Sequence, residues 1–231
     1  MRLFPRKRRQ GPKTWAVSQE YEFSASRQWM GGEPFGRYLG SLRSDRADLL
    51  KSLDDYFFRG DKEEFTAIAR HAKDKNNLEI GPSCAPLIYA FEPTRPPHII
   101  EPLGDKIADF QMQQFGFSVF SASELHSVDA ADPLPELKGA IDGIIYVRNC
   151  IDHSPKWPFI MANIALFAAP GCRLLFWSEM SHGLEPDEGH YNITDRPEDF
   201  LALTEALGFR VDRHFSDNPS LPDLGLIATK L

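Results

Sequence analysis

The chain has 231 residues, of which 42% are hydrophobic and 26% charged, a make-up that suits one ordinary globular α/β domain with an added helical segment. Asp and Glu (33) outnumber Lys and Arg (26), and the resulting formal net charge of −7 excludes a surface built to coat nucleic acid, which needs a dominating basic field. Cys84, Cys150 and Cys172 are odd in number, far apart and form no CxxC pair, so neither a disulfide framework nor a zinc knuckle is implied; no apolar run approaches the roughly 18 residues of a membrane span, and no apolar stretch follows the basic start as in a secretory signal. The expectation is a soluble, cytoplasmic protein with reduced thiols.

Residues 1–14 read as a flexible basic arm: Pro5, Gly11 and Pro12 interrupt periodicity, and Arg6, Lys7, Arg8 and Arg9 form either a solvated run or a weak tether to an anionic surface. Residues 15–75 read as a helical extension, because Leu49, Leu50, Leu53, Tyr56, Phe57, Phe65, Ile68 and Ala69 recur at three- and four-residue spacing between charges. Its aromatic side chains (Trp15, Tyr21, Phe23, Trp29, Phe35, Tyr38) either fold over a ligand or pack helices on a sheet.

Residues 76–231 change character. Leu78–Ile80 is a short strand that stops at Gly81, Pro82 and Ser83, and Leu87–Phe91 opens a further element. His98–Ile100 is a second strand, 107–115 a helix, Phe117–Phe120 a third strand by its alternation, and Ile141–Val147 a fourth. A helix over 158–169, a strand over 172–178 and a helix over 198–207, closed by Gly208, follow. Strands at 209–215 and 224–230 end the chain with only a loop between them, so they must run antiparallel. The alternation before them implies βαβ crossovers, and the whole predicts a Rossmann-like α/β fold with seven strands, mostly parallel, ending in an antiparallel pair.

Ligands in such sheets sit at the carboxyl ends of the strands. The first turn, Gly81 to Pro86, has one glycine and small neighbours but lacks the GxGxxG that brings a helix N-terminus onto a pyrophosphate, so a nicotinamide dinucleotide is disfavoured. Glu101 ends strand two, twenty residues after Gly81, where a carboxylate can accept both hydroxyl hydrogens of a ribose, unless it serves only to favour a helix N-terminus. Arg148, Asn149, Cys150, Asp152 and His153 crowd behind strand four. Asp152 and His153 are either an acid–base pair or a helix cap and a pocket wall. His153 and His190 are the candidate bases, with Asp152 as orienting partner, and no Cys/His/Asp set shows metal-ligand spacing, which predicts chemistry without a metal.

The stretches NLEIGPSCAP, IIEPLGDKI, SASEL, IDGIIYVRNCIDHSPKW and APGCRLLFWSE resemble the successive motifs of class I S-adenosylmethionine-dependent methyltransferases over residues 77–180. RNCIDH and the later GHYNIT resemble a bacterial subgroup with an RNxLDH-like turn and an HxWN-like element. The resemblance implies that Glu79, Gly81, Pro82 and Ser83 face the methionine portion of S-adenosylmethionine, that Glu101 holds the ribose, that Pro102 and Leu103 flank the adenine, and that Ser123 and Glu124 lie at its edge. Arg148 and Asn149 would stand beside the transferred methyl group, with Asp152 and His153 behind. Two positions depart from the family pattern: Ser83 replaces the second glycine of the first loop, and Ala122 stands where an acidic residue is common. The implied protein methylates a small-molecule or carbohydrate acceptor; the alternative is a degenerate, non-catalytic binding protein. The oligomeric state stays open, a homodimer among the options.

Overall fold

The computed structural model describes residues 15–44, 46–53, 57–182, 190–216 and 223–231. The basic run Arg6–Arg9 and Tyr56 lie outside them. The expected extension forms α1 (Trp15–Met30), α2 (Glu33–Arg43), α3 (Ala47–Leu53) and α4 (Lys62–Ala72). Asp61 caps α4, its side chain accepting the Glu64 N–H at 2.9 Å. There follow β1 (Leu78–Ile80), β2 (His98–Ile100), α5 (Gly104–Phe115), β3 (Glu124–His126), β4 (Ile144–Arg148), α6 (Trp157–Phe167), β5 (Arg173–Glu179), α7 (Pro197–Ala206), β6 (Phe209–Phe215) and β7 (Asp223–Lys230).

The seven strands form one sheet in the order β3-β2-β1-β4-β5-β7-β6. All neighbours are parallel except β5–β7 and β7–β6, so the closing pair is antiparallel as expected. The order reverses at β1 and β4, and the crevice outside their carboxyl ends is where this topology places a ligand.

Alternate strand residues divide between two cores. Leu78, Ile80, Ile145, Val147, Leu174 and Phe176 pack under α6 and α7, where Phe176 stacks on Phe200 at 4.7 Å. Ile99, Ile144, Tyr146, Leu175 and Ile227 face the other way and meet Phe35, Leu53, Phe57 and Ile68 of the extension. Phe57 reaches Tyr146 of the central strand, ring centroids 5.3 Å apart. The extension is thus part of the core that covers one sheet face.

Two expectations differ. The third strand lies at Glu124–His126, and Val119–Ala122 is instead a 3₁₀ turn. The buried Gln111 carbonyl oxygen accepts both the Ser118 hydroxyl and the Val119 N–H at 3.0 Å, which fixes that turn while Val119 and Phe120 fill the core. Between β1 and β2 the chain makes only a 3₁₀ turn, Ile88–Phe91, and no α-helix. No helix among the described residues is long and apolar enough to cross a membrane.

Candidate functional site

The carboxyl ends of β1, β2 and β4 converge on one crevice. After β1, Gly81 and Ser83 both adopt positive φ (66° and 52°); after β4, Asn149 does so at 44°. A β-carbon on Gly81 would lie 2.4 Å from Cβ and 2.7 Å from Sγ of Cys150, so a side chain from the β4 loop uses the space that the glycine leaves.

Two buried carboxylates hold the first loop. Glu79 is 2% exposed, and its oxygens accept the N–H groups of Leu87 at 3.0 Å and Ile88 at 2.8 Å. Glu101 accepts Ser83 N–H at 2.8 Å through Oε2 and Leu103 N–H at 3.0 Å through Oε1. Burial pushes Glu79 up to about 7, although the Leu87 and Ile88 N–H groups and Arg148 oppose the rise. Burial also raises Glu101, against the pull of the Leu103 and Ser83 N–H groups. Each Glu101 oxygen has one donor and keeps capacity for another. Beside it, the buried Oδ1 of Asn149 has no hydrogen-bond partner.

Helix α1 roofs the crevice. Ser26 and Ser83 hydroxyls are 2.7 Å apart, and Glu22 Oε1 lies 3.1 Å from His153 Nδ1. The space left between Trp15, Glu22, Gly81, Glu101, Asn149 and His153 is about 120 Å³. A second cavity of about 600 Å³ adjoins it, sharing Glu22, Ser26 and Ser83 and reaching Arg37, Tyr38, Lys51, Pro82 and Arg148.

Behind His153, Asp152 is fully buried; its Oδ1 accepts the Ser178 hydroxyl at 3.2 Å and its Oδ2 lies 3.0 Å from His182 Nε2. His190 is sandwiched between His153 and His182, centroids 4.3 Å apart on both sides. The Tyr191 N–H donates to the Asp152 carbonyl at 2.6 Å, which ties the chain at 190–194 to the turn that carries Asp152.

The structure therefore brings Gly81, Ser83, Glu101, Pro102, Leu103, Asn149 and His153 together around the smaller cavity, and Pro82 and Arg148 around the larger one. Glu79 faces neither, because its oxygens serve the loop backbone. Ser123 and Glu124 lie at the amino end of β3, where Glu124 pairs in register with His98; with the strand misplaced in sequence, the loop after it is Ser127 onward. The buried Ser127 hydroxyl has no hydrogen-bond partner. His182 escaped the sequence reading, since a lone histidine after a strand carries no spacing signal. The expected lack of any metal-ligand grouping is corrected as well: Asp152, His182 and His190 offer ligand atoms all within 4.8 Å of one another. Residues distant in the chain meet because β4 and β5 are adjacent.

No protein-family model and no curated protein matches the chain. Solved structures do. The [4+2]-cyclase SpnF aligns with TM-score 0.56 at 13% identity, over 95% of this chain and 97% of that one. An S-adenosylmethionine-dependent methyltransferase of Methanosarcina mazei aligns with TM-score 0.52 at 14% identity, over 71% and 97%. One from Mesorhizobium loti aligns with TM-score 0.51 at 10% identity, over 72% and 97%. The fold is that of S-adenosylmethionine-dependent methyltransferases. At these identities the likeness speaks for the fold, and the methyltransferase fold carries a cyclase among its members here. On this methyltransferase fold the crevice at β1, β2 and β4, with its buried carboxylate Glu101, is the place to look for a ligand.

Proposed function

We propose that the protein binds S-adenosylmethionine in this crevice and directs its methyl group to a small-molecule or glycan-like acceptor. One observation carries the reading: Glu101 is a buried carboxylate with spare acceptor capacity on both oxygens, beside the unpartnered Asn149 Oδ1, at the switch point of this fold. A ribose diol supplies the hydrogens Glu101 lacks, and an amine or hydroxyl satisfies Asn149. Gly81 and Ser83 would form the floor, Pro102 and Leu103 the flank of the base, and Ser127 takes the place at the β3 end that Ser123 and Glu124 do not occupy. Glu79 positions the loop and touches nothing bound. When bound, the cofactor supplies an electrophilic methyl, so the chain's task is to align the acceptor, exclude water and receive any proton released. His153, on the cavity wall with Glu22 at Nδ1, is the group placed to receive it.

The space of about 120 Å³ is less than the roughly 300 Å³ at which ligand pockets begin, so on this reading the ligand extends into the adjoining cavity or α1 shifts outward when it binds. The proximity of RNCIDH and GHYNIT supports the resemblance to the subgroup that carries both. The three cysteines are free thiols, which suits a cytoplasmic setting. A second reading, a methyltransferase fold that has lost turnover, is favoured by the closed roof and by Cys150 filling the space at Gly81.

Calorimetric titration with S-adenosylhomocysteine tests the first reading. Binding is expected, and Glu101→Ala should weaken it at least tenfold. Unchanged affinity removes Glu101 from the site, and no heat at millimolar ligand leaves the second reading. Methyl release in a radiolabel screen over sugars and small hydroxylated compounds then tests turnover.

A further inference from the structure

We propose that Asp152, His182 and His190 form a binding site for one divalent cation of the zinc class. Asp152 leaves the turn after β4, and His182 and His190 leave the chain after β5; together they bring two imidazole nitrogens and one carboxylate oxygen within 4.8 Å of one another. Asp152 Oδ2 is the shared point, 3.0 Å from His182 Nε2 and 4.0 Å from His190 Nε2. A tetrahedral zinc site has metal–ligand lengths of about 2.0–2.2 Å and hence ligand–ligand edges of about 3.3 Å. Of the three edges, the one to His182 is already short enough, the one to His190 closes with a shift below about an ångström, and the one between the two imidazole nitrogens, within 4.8 Å, closes with a shift of at most about 1.5 Å.

The partners of the ligands point the same way. His182 lies between two carboxylates, with Nδ1 3.2 Å from Glu179 Oε2 and Nε2 3.0 Å from Asp152 Oδ2. Two carboxylates against one ring call for a positive charge between them: a protonated imidazole supplies it with two N–H donors, and a neutral one, with a single N–H, leaves a lone pair facing a carboxylate oxygen where a cation fits. With Glu179 taking the Nδ1–H, Nε2 becomes a ligand whose tautomer is fixed, the arrangement typical of histidines that bind metals. The other oxygen of Asp152 is held by the Ser178 hydroxyl at 3.2 Å, so the ligating carboxylate is oriented too. Two nitrogen donors in three favour zinc, cobalt or ferrous iron over magnesium or calcium, which take oxygen. Three protein ligands leave a coordination position open for water. The site stands on these contacts alone and is independent of methyl transfer.

The test uses the full chain stripped with chelator, without any nucleoside. Zinc titrated against a chromophoric chelator should load one equivalent per chain with micromolar or tighter affinity, and cobalt should give visible absorption bands of a four-coordinate site. His190→Gln and Asp152→Asn should each weaken zinc at least tenfold and abolish the cobalt bands, with folding checked by circular dichroism. Should Asp152→Asn not fold, His190→Gln decides. Glu179→Gln should weaken binding about tenfold, as loss of a supporting carboxylate does. His126→Gln, in the separate His98–His126 pair, should change nothing. Binding below one-fifth of an equivalent, or binding lost in His126→Gln and kept in His190→Gln, overturns the proposal.

Discussion

Glu79 lends itself to a quantitative test, because it is both fully buried and shifted. Its carboxyl is lifted from 4.5 to about 7, chiefly by burial. A group that holds its proton more tightly when folded stabilises the fold below its unfolded value, and that contribution is lost as pH rises through the folded one. The window is therefore pH 4.5 to about 7, and stability falls across it. At 1.36 kcal/mol per pH unit, the loss is about 3 kcal/mol. Glu79→Gln cannot ionise, so its component is flat. The amide can accept one of the Leu87 and Ile88 N–H groups and not both, which lowers stability by a pH-independent offset. The diagnostic quantity is thus the difference in slope. Glu101, raised in the same direction, and His71 and His98, whose lowering acts with the opposite sign, are present in both proteins. Urea unfolding at pH 5, 6, 7 and 8 measures it: with a urea slope of about 3 kcal/mol/M, the wild-type midpoint should fall by roughly 1 M more than that of the variant. Parallel curves would show that Glu79 is ionised throughout, and the burial of its charge would then have been overrated.

Two further perturbations probe the roof and the closing hairpin. Glu22→Ala removes the partner of His153 on α1 and should loosen the roof, improving S-adenosylhomocysteine affinity by up to about fivefold, the ceiling for a partly exposed pair. A loss of affinity instead would mean that α1 grips the ligand and does not merely cover it; calorimetry reads either result. Gly225→Ala places a β-carbon 2.0 Å from Phe215 Cε2 on the adjacent strand, so overpacking should cost about 2 kcal/mol and lower the melting temperature by about 5 °C. An unchanged melting curve would refute that close approach.

Much of the sheet was legible because its strands are bounded runs with clear apolar faces. The strands predicted at 172–178 and 209–215 fall within one residue of β5 and β6, and the antiparallel ending followed from the length of a loop too short for a helix. The third strand was misread because Phe117–Phe120 alternates like a strand, while a contact with no local signature, from the side chain of Gln111, sets its backbone. That error moved the expected adenine edge to Ser123 and Glu124, at the wrong end of β3. The ribose candidate Glu101 was visible from its place after a strand, and Asp152, His153 and His190 meet as a group. His182 and Glu22 join them through strand adjacency and the docking of α1, which one-dimensional spacing does not encode.

The missing helix after β1 has a consequence for what the crevice can hold. In dinucleotide folds a helix N-terminus follows the first strand and turns its N–H groups toward a pyrophosphate. Here the segment from Gly81 to Ile88 has no such helix, and three of its N–H groups, those of Ser83, Leu87 and Ile88, point into the carboxylates of Glu101 and Glu79. Donors that would greet a phosphate are consumed, and what stands in their place is acidic. Of the two acids only Glu101 faces the crevice, and in its ionised form it opposes an anion and favours a ligand that brings hydroxyl donors or positive charge, while Glu79 only holds the loop. A sulfonium nucleoside brings both. The absence of the glycine-rich phosphate loop and the burial of two carboxylates are thus one feature: the loop is organised by acids in place of a helix dipole, and its ligand preference is set accordingly.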